Sequence, residues 1–122
     1  MNESNYSIFV YQYRDAGNYK AHGVLMLFGQ YDALLEEKIH KSCDSWNHFV
    51  AEQVGVPTLY AELYMFSNGP TIDDIAFHEF HSLRPATIEE GESLSLWGKL
   101  GDLVARFEAV RSWDCTLSPH CW

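Results

Sequence analysis

Residues 6–28 read YSIFVYQYRDAGNYKAHGVLMLF, and this stretch decides the fold. Residues 6–14 are rich in aromatic and β-branched side chains, which favours a β-strand. Residues 22–29 contain the unbroken apolar run Val24–Phe28, which predicts a second strand that is buried on both faces. The Asp15-Ala16-Gly17-Asn18 segment between them is typical of a turn, because Gly and Asn tolerate positive φ. We therefore predict an antiparallel hairpin inside a sheet.

The middle of the chain favours two helices separated by a short extended piece. Asp32 is a favourable N-cap for a helix over residues 33–45, whose apolar residues recur at helical spacing. Phe49-Val50 is apolar and extended in character, and Gly55 and Pro57 end it. A second helix is predicted from Pro57 to residue 66.

The last part of the chain predicts a strand, an acidic connection and a helix. Residues 75–84 favour a third strand, which Pro85 ends, and residues 88–92 are expected to be a surface connection. Residues 94–111 carry apolar side chains at helical spacing and predict the last helix, although Gly98 and Gly101 weaken it by about 1 kcal/mol each. Residues 113–122 are expected to be a disordered C-terminal tail.

These elements predict the α+β fold class. We expect a single domain over residues 1–112, with a small, mainly antiparallel sheet of three to five strands. About three helices should pack on one face of that sheet. A chain of 122 residues that is 47% hydrophobic is large enough for one core.

The charge of the chain is strongly negative. The net charge is −9, and residues 44–102 hold ten acidic against two basic side chains. A negative field repels nucleic-acid phosphates, so direct DNA or RNA binding is not expected, whereas a basic protein partner would be attracted. No apolar run is long enough to span a bilayer, and residues 1–10 lack a secretory signal, so a cytoplasmic location without membrane binding is expected.

The cysteines and histidines do not form a recognisable metal or nucleophile motif. An odd count of three cysteines without a signal predicts reduced thiols, with Cys43 in the core. His78 and His81 point to opposite faces of a strand, and the Cys115, His120 and Cys121 group lacks a fourth ligand. No Gly-x-Ser-x-Gly elbow or phosphate-binding glycine loop occurs. We therefore expect no metal, no cofactor and no catalytic residue.

Polar residues concentrate in three short segments, residues 14–20, 47–57 and 77–81, set among apolar runs. Buried polar groups need partners, so such segments form structural networks or a site. One interpretation is a salt bridge from Arg14 to Glu52 or Glu79 that pins the FVAEQVGVP segment, residues 49–57, against the sheet. The other is a ligand site at the end of the sheet, whose candidate residues are Arg14, Asp15, Asn18, Tyr19, Lys20, Glu52, Gln53, His78 and Glu79.

Several of these segments also resemble an uncharacterised family of small bacterial proteins. The motifs are YRDAGNYK at residues 13–20, FVAEQVGVP at 49–57 and FHEF at 77–80, and the likeness covers roughly residues 9–86. The resemblance implies a bacterial cytoplasmic protein. It supplies no reaction, cofactor or partner.

The sequence therefore predicts a function in binding rather than catalysis. Our leading hypothesis is a non-catalytic acidic interaction protein that binds or inhibits a basic protein partner, as inhibitor and immunity proteins do. The alternative is a small-molecule-binding protein or an enzyme with a polar site at the sheet end. A homodimer is a further possibility, because so many aromatic residues in a short chain can leave an exposed patch.

Overall fold

The predicted hairpin is present in a computed structural model, which describes residues 5–67, 69 and 74–120. Strands β1 (Tyr6–Arg14) and β2 (Lys20–Phe28) pair antiparallel along their whole length. Asn18 adopts a positive φ of 67° in the connecting turn. The carboxylate of Asp15 accepts a 2.9 Å hydrogen bond from the backbone N–H of Tyr19, which closes the turn. Local turn chemistry therefore sets the hairpin register.

Three further strands complete a five-stranded sheet in the described part of the chain. They are β3 (His48–Phe49), β4 (His78–Pro85) and β5 (Leu96–Lys99). The strand order is β3-β4-β1-β2-β5. All neighbours pair antiparallel except β2 and β5, which are parallel. The sheet is thus mixed but mainly antiparallel, and the predicted α+β class is confirmed.

The described residues form five α-helices, and four of them pack on one face of the sheet. These four are α1 (Ala33–Ser42), α2 (Ala51–Val54), α3 (Tyr60–Ser67) and α5 (Leu100–Glu108). The N-cap of α1 is Asp32, as predicted, and its side chain accepts a 2.8 Å hydrogen bond from Leu34 N–H. The fifth helix is α4 (Ile88–Ser93).

The main core lies between these four helices and alternate residues of the sheet. Phe9, Tyr11 and Tyr13 of β1 belong to it and are at most 1% exposed. The ring of Phe9 stacks on Phe80 at 5.2 Å and lies 5.9 Å from the ring of Phe107. Aromatic pairs at such distances contribute about 0.5–1.5 kcal/mol beyond their buried area. The aromatic residues of β1 therefore join the central strand to the helical layer.

The opposite face of the sheet is largely open, and we call it the open face. Ile8 and Met26 form a small second cluster there with Ala86, and Leu94 after α4 packs against it. Val24, Phe28 and Leu96 remain 43%, 50% and 52% exposed. The prediction that Val24–Phe28 is buried on both faces is therefore wrong at Val24 and Phe28, because none of the longer helices in the described residues covers this side.

The segment from residue 88 to residue 99 differs from its prediction. Residues 88–93 form α4 rather than a loop, because Thr87 and Glu90 make a capping box around the first turn. Residues 96–99, expected to be helical, instead pair with the free edge of β2. The helical pattern begins only at Leu100, where Leu103, Val104 and Phe107 turn towards the core.

Other boundaries shift by a few residues at their ends. Helix α1 stops at Ser42 instead of residue 45, and the second predicted helix begins at Tyr60 instead of Pro57. The third predicted strand begins at His78 instead of Ile75. Frayed ends of this kind are the least determined part of a sequence pattern.

The C-terminal segment packs against the domain, so the prediction of disorder is wrong for residues 113–120. The ring of Trp113 lies 5.9 Å from Phe107 and 6.4 Å from Phe49. Its indole N–H donates a 3.0 Å hydrogen bond to the carbonyl of Ser42. Ser118 and His120 are buried, at 6% and 4% exposure. Long-range contacts, rather than a local pattern, order this segment.

Candidate functional site

One end of the open face carries a row of polar side chains from four neighbouring strands. His48 of β3 lies opposite Glu79 of β4, Glu79 opposite Gln12 of β1, and Gln12 opposite His22 of β2. The neighbours of these residues in sequence, such as His78 and Phe49, belong to the buried side. Because side chains alternate along a strand, the polar row points away from the core.

Glu79 is the centre of this row. Its Oε1 accepts a 2.7 Å hydrogen bond from the Gln12 amide. Its Oε2 lies 3.5 Å from His48 Nε2 and 3.3 Å from Arg14 Nε. The sequence hypothesis of an Arg14 salt bridge to Glu52 or Glu79 is therefore realised with Glu79.

The ion pair between Arg14 and Glu79 is loosely made. Its closest guanidinium-to-carboxylate distances are 3.3 Å and 3.4 Å. The Nε atom of Arg14 is buried but makes no aligned hydrogen bond with a described residue. On the same sheet, Arg84 binds Glu90 through two hydrogen bonds of 2.7 Å each. Charge-assisted pairs normally lie about 2.7–2.9 Å apart, so Arg14 retains donor capacity that Arg84 does not.

A cleft of about 410 Å³ opens beside this ion pair. Arg14 and Glu79 line it together with Asp15, His48 and Ile75. The side chain of Arg14 is 41% exposed. We call this feature the Arg14 cleft. It brings together three of the residues predicted for a ligand site and adds His48, which was not among them.

Asn18, Tyr19 and Lys20 serve the hairpin rather than the cleft. The N–H of Asn18 donates a 3.0 Å hydrogen bond to the carbonyl of Asp15. Tyr19 is 67% exposed, and Lys20 lies opposite Arg14 as the first residue of β2. None of the three lines the Arg14 cleft in the described part of the chain.

Glu52 and Gln53 lie on α2 and bind structural partners. Glu52 Oε2 accepts a 3.0 Å hydrogen bond from the Tyr60 hydroxyl. The Gln53 amide donates to the carbonyl of Ser112 at 3.0 Å and accepts from the backbone N–H of Asp114 at 2.8 Å. These contacts attach the C-terminal segment to α2. The predicted convergence of Glu52 with Arg14 at one site is not observed.

His78 is buried in the core, at 0% exposure. Its Nε2 accepts a 3.0 Å hydrogen bond from the backbone N–H of Leu59, so the proton of the neutral ring lies on Nδ1. Burial lowers the pKa of His78 to about 3. The sequence placed His78 among the candidate ligand-site residues, but the histidine beside the Glu79 carboxylate is His48. His78 is a structural residue and does not share the Arg14 cleft.

A cluster of buried tyrosines was not predicted from the sequence. The hydroxyl of Tyr13 donates a 2.6 Å hydrogen bond to Asp74 and accepts one of 2.9 Å from the backbone N–H of Ile75. The hydroxyl of Tyr60 lies 2.9 Å from Ser118 Oγ. Burial, and next the hydrogen bond to Asp74, raise the pKa of Tyr13 far above its usual range. The sequence could have indicated this cluster. Tyr13 lies four residues after Phe9 in a strand and so faces the same buried side, where a hydroxyl needs a partner.

The two described cysteines differ in state. Cys43 is a free thiol that packs against the main core, and burial raises its pKa to about 12, which makes it a poor nucleophile. Cys115 is disulfide-bonded, so the prediction that all thiols are reduced is wrong. Within residues 5–67, 69 and 74–120, no group of three His, Cys, Asp or Glu side chains is arranged to hold a metal ion.

The fold and this cleft define a small α+β domain with a polar site at one sheet end. Comparison of the chain with protein-family models, with curated proteins and with solved structures finds no match. None of the helices in the described residues has the length and apolar character that crossing a membrane requires.

Proposed function

We propose that the protein is a non-catalytic interaction protein that binds a basic protein partner through the apolar part of its open face. The observation that carries this proposal is the exposure of Val24, Phe28 and Leu96, at 43%, 50% and 52%, on the adjacent strands β2 and β5. We call these three residues the apolar patch. Exposed apolar side chains that cluster are typical of protein interfaces.

The apolar patch rests on a rigid base. Met26 lies between Val24 and Phe28 on the same side of β2, and it is opposite Leu96 on β5 and 5% exposed. The ring of Phe28 packs edge-on against Tyr6 at 5.7 Å. A side chain that is already held in place loses little conformational entropy when it binds. The apolar patch is therefore suited to act as a hot spot.

Carboxylates that flank β5 in the sequence favour a basic partner. Most of the described carboxylates bind within the protein, but five take no hydrogen bond or ion pair from a described residue: Glu62, Glu89, Glu92, Asp102 and Glu108. Glu89 and Glu92 lie on α4, before β5, and Asp102 lies in the first turn of α5, after β5. Lys99 is the one base of β5 itself.

The carboxylates of α4, which precedes β5, and the net charge of −9 attract a basic surface and repel a second copy of this acidic chain. This contrast is why we propose a basic protein rather than a homodimer as the occupant. Inhibition of that partner, in the manner of inhibitor and immunity proteins, is the form of function that such a surface suits.

Affinity capture followed by quantitative binding tests the proposal. The protein would be immobilised, captured host proteins identified by mass spectrometry, and each candidate purified and titrated at low and moderate salt. The double variant Phe28→Ser/Leu96→Ser should weaken binding about tenfold or more. The double variant Glu89→Gln/Glu92→Gln should reduce the association rate and the salt dependence.

Two control variants match these changes. Leu34→Ser removes an apolar side chain that is 67% exposed on α1, on the other side of the sheet. Glu108→Gln removes a carboxylate at the far end of α5. Both variants should leave binding unchanged. An acidic partner, or binding that ignores the apolar patch, would overturn the proposal. A dimer in light scattering that dissociates in Phe28→Ser/Leu96→Ser would do so too, by showing that a second copy covers the patch.

A further inference from the structure

We infer that the Arg14 cleft binds a small zwitterion of the amino-acid class, with the ligand carboxylate on Arg14 and the ligand ammonium on Asp15. This inference is independent of the protein partner proposed above, because the cleft lies at the polar end of the open face. It rests on the donor capacity of Arg14, on the charge of the lining and on the size of the cleft.

Arg14 has guanidinium donors available to a ligand. Its contacts with Glu79 are long, at 3.3 Å and 3.4 Å, and Nη1 donates to no described residue. Both oxygens of Glu79 have other contacts as well. One accepts a 2.7 Å hydrogen bond from the Gln12 amide, and the other lies 3.5 Å from His48 Nε2. A planar guanidinium that is held on one side and exposed on the other presents a matched surface to a carboxylate.

The remaining charge of the cleft selects against a simple anion. Besides the Arg14–Glu79 pair, the described lining carries one further carboxylate, that of Asp15. Oδ1 of Asp15 accepts the N–H of Tyr19, whereas Oδ2 accepts no hydrogen bond from a described residue. Phosphate would be repelled by Asp15, while a ligand that carries an ammonium beside its carboxylate satisfies both charges.

The dimensions of the cleft agree with a small ligand. Its volume of about 410 Å³ lies near the lower end of the roughly 300–1,000 Å³ that small-molecule sites occupy. Ile75 supplies an apolar wall for an aliphatic side chain. Because the lining residues come from β1, β3, β4 and the segment before β4, the pairing of the strands positions them before any ligand arrives.

A nuclear magnetic resonance titration of the ¹⁵N-labelled protein tests the inference. The probes are the standard amino acids one at a time, and acetate, methylammonium and inorganic phosphate. At least one amino acid should cause saturable shifts of the amides of Asp15, Ile75 and Glu79. Acetate and methylammonium each lack one of the two charges and should bind about tenfold more weakly or worse.

Matched variants separate a ligand site from a structural ion pair. Arg14→Gln should abolish the saturable shifts, and Asp15→Asn, which keeps an oxygen for the Tyr19 N–H, should weaken binding about tenfold. Arg84→Gln breaks the other arginine–glutamate pair of β4 and should leave the titration unchanged. The inference is overturned if no amino acid gives saturable shifts, if phosphate binds as tightly as the best amino acid, or if Arg84→Gln and Arg14→Gln lose binding equally.

Discussion

The imidazole of His78 and the backbone of Leu59 are joined by a 3.0 Å hydrogen bond in which the neutral ring is the acceptor. Protonation of the ring would remove that acceptor and place an uncompensated charge in the core. The rings of Tyr13 and Tyr60 lie 5.1 Å and 5.0 Å from it, which leaves no room for bulk water on those sides. This contact makes the stability of the fold depend on pH.

The pH dependence has a definite sign. Burial lowers the pKa of His78 from 6.5 to about 3, so the unfolded chain binds this proton more readily than the folded one. The contribution of His78 to the free energy of unfolding should therefore be complete above pH 6.5 and should fall, with a limiting slope of about 1.4 kcal/mol per pH unit, as the pH drops from 6.5 towards 3. Urea unfolding at successive pH values measures the slope.

His78→Gln keeps a side-chain acceptor for Leu59 and removes the titration. Between pH 6.5 and 5 the free energy of unfolding of this variant should fall by about 2 kcal/mol less than that of the native chain. His81→Gln changes an exposed histidine of the same strand and should retain the native slope. A native slope in His78→Gln would show that another group is responsible.

Tyr13→Phe should destabilise the protein by about 2–3 kcal/mol, because it removes the hydrogen bonds that the Tyr13 hydroxyl makes with two polar groups. These groups are the carboxylate of Asp74, at 2.6 Å, and the backbone N–H of Ile75, at 2.9 Å. Tyr31→Phe, which removes a hydroxyl bound to Glu36 near the surface, should cost about 0.5 kcal/mol. Equal costs in chemical denaturation would mean that the Tyr13 hydroxyl is not buried in a paired state.

Trp113→Ala should destabilise the protein by about 2 kcal/mol, because it removes a ring packed on Phe49 and Phe107. Leu117→Ala lies in the same segment, is 52% exposed, and should cost less than about 0.5 kcal/mol. Thermal unfolding of the two variants checks whether residues 113–120 are part of the cooperative unit. A Trp113→Ala variant as stable as the native chain would indicate a detached segment.

Cys43 should react slowly with iodoacetamide in the native protein. Burial raises its pKa to about 12, so the thiolate at neutral pH is about a thousandfold scarcer than in a free thiol, and alkylation should be at least about tenfold slower. Urea should restore an ordinary rate, and Cys115 should label only after reduction. Peptide mapping by mass spectrometry distinguishes the two cysteines, and fast native labelling of Cys43 would refute its burial.

Features that depend on neighbours in the chain were predictable. The turn at Asp15–Asn18, the Asp32 cap and the parity of Phe9, Tyr11 and Tyr13 follow from side chains within a few positions of one another. The polar residues of this turn and strand were also found, and Arg14, Asp15 and Glu79 do meet at one cleft. Local interactions of this kind can be predicted because the interacting residues are close together in the sequence.

Features that depend on distant partners were missed. Residues 96–99 have a helical pattern, but the free edge of β2 offers them backbone hydrogen bonds, and the strand forms instead. His78, a candidate for the ligand site, instead lies in the core, because the pairing of β3 with β4 puts Phe49 and His78 on the core side and His48 beside Glu79. Propensity alone contains no information about such pairings.

The sequence by itself determined the fold class, the central hairpin and the acidic character of the chain. Composition sets the charge, and turn residues and period-two alternation depend only on near neighbours. Only the tertiary structure decided that one sheet face stays open, that the C-terminal segment packs onto α2 and that Arg14 meets Glu79. Those outcomes require contacts between residues as far apart as 71 positions, whose geometry exists only once the chain has folded. A site is defined by which side chains are buried and which hydrogen-bonding groups remain unused. Both are properties of the assembled surface and not of any segment alone.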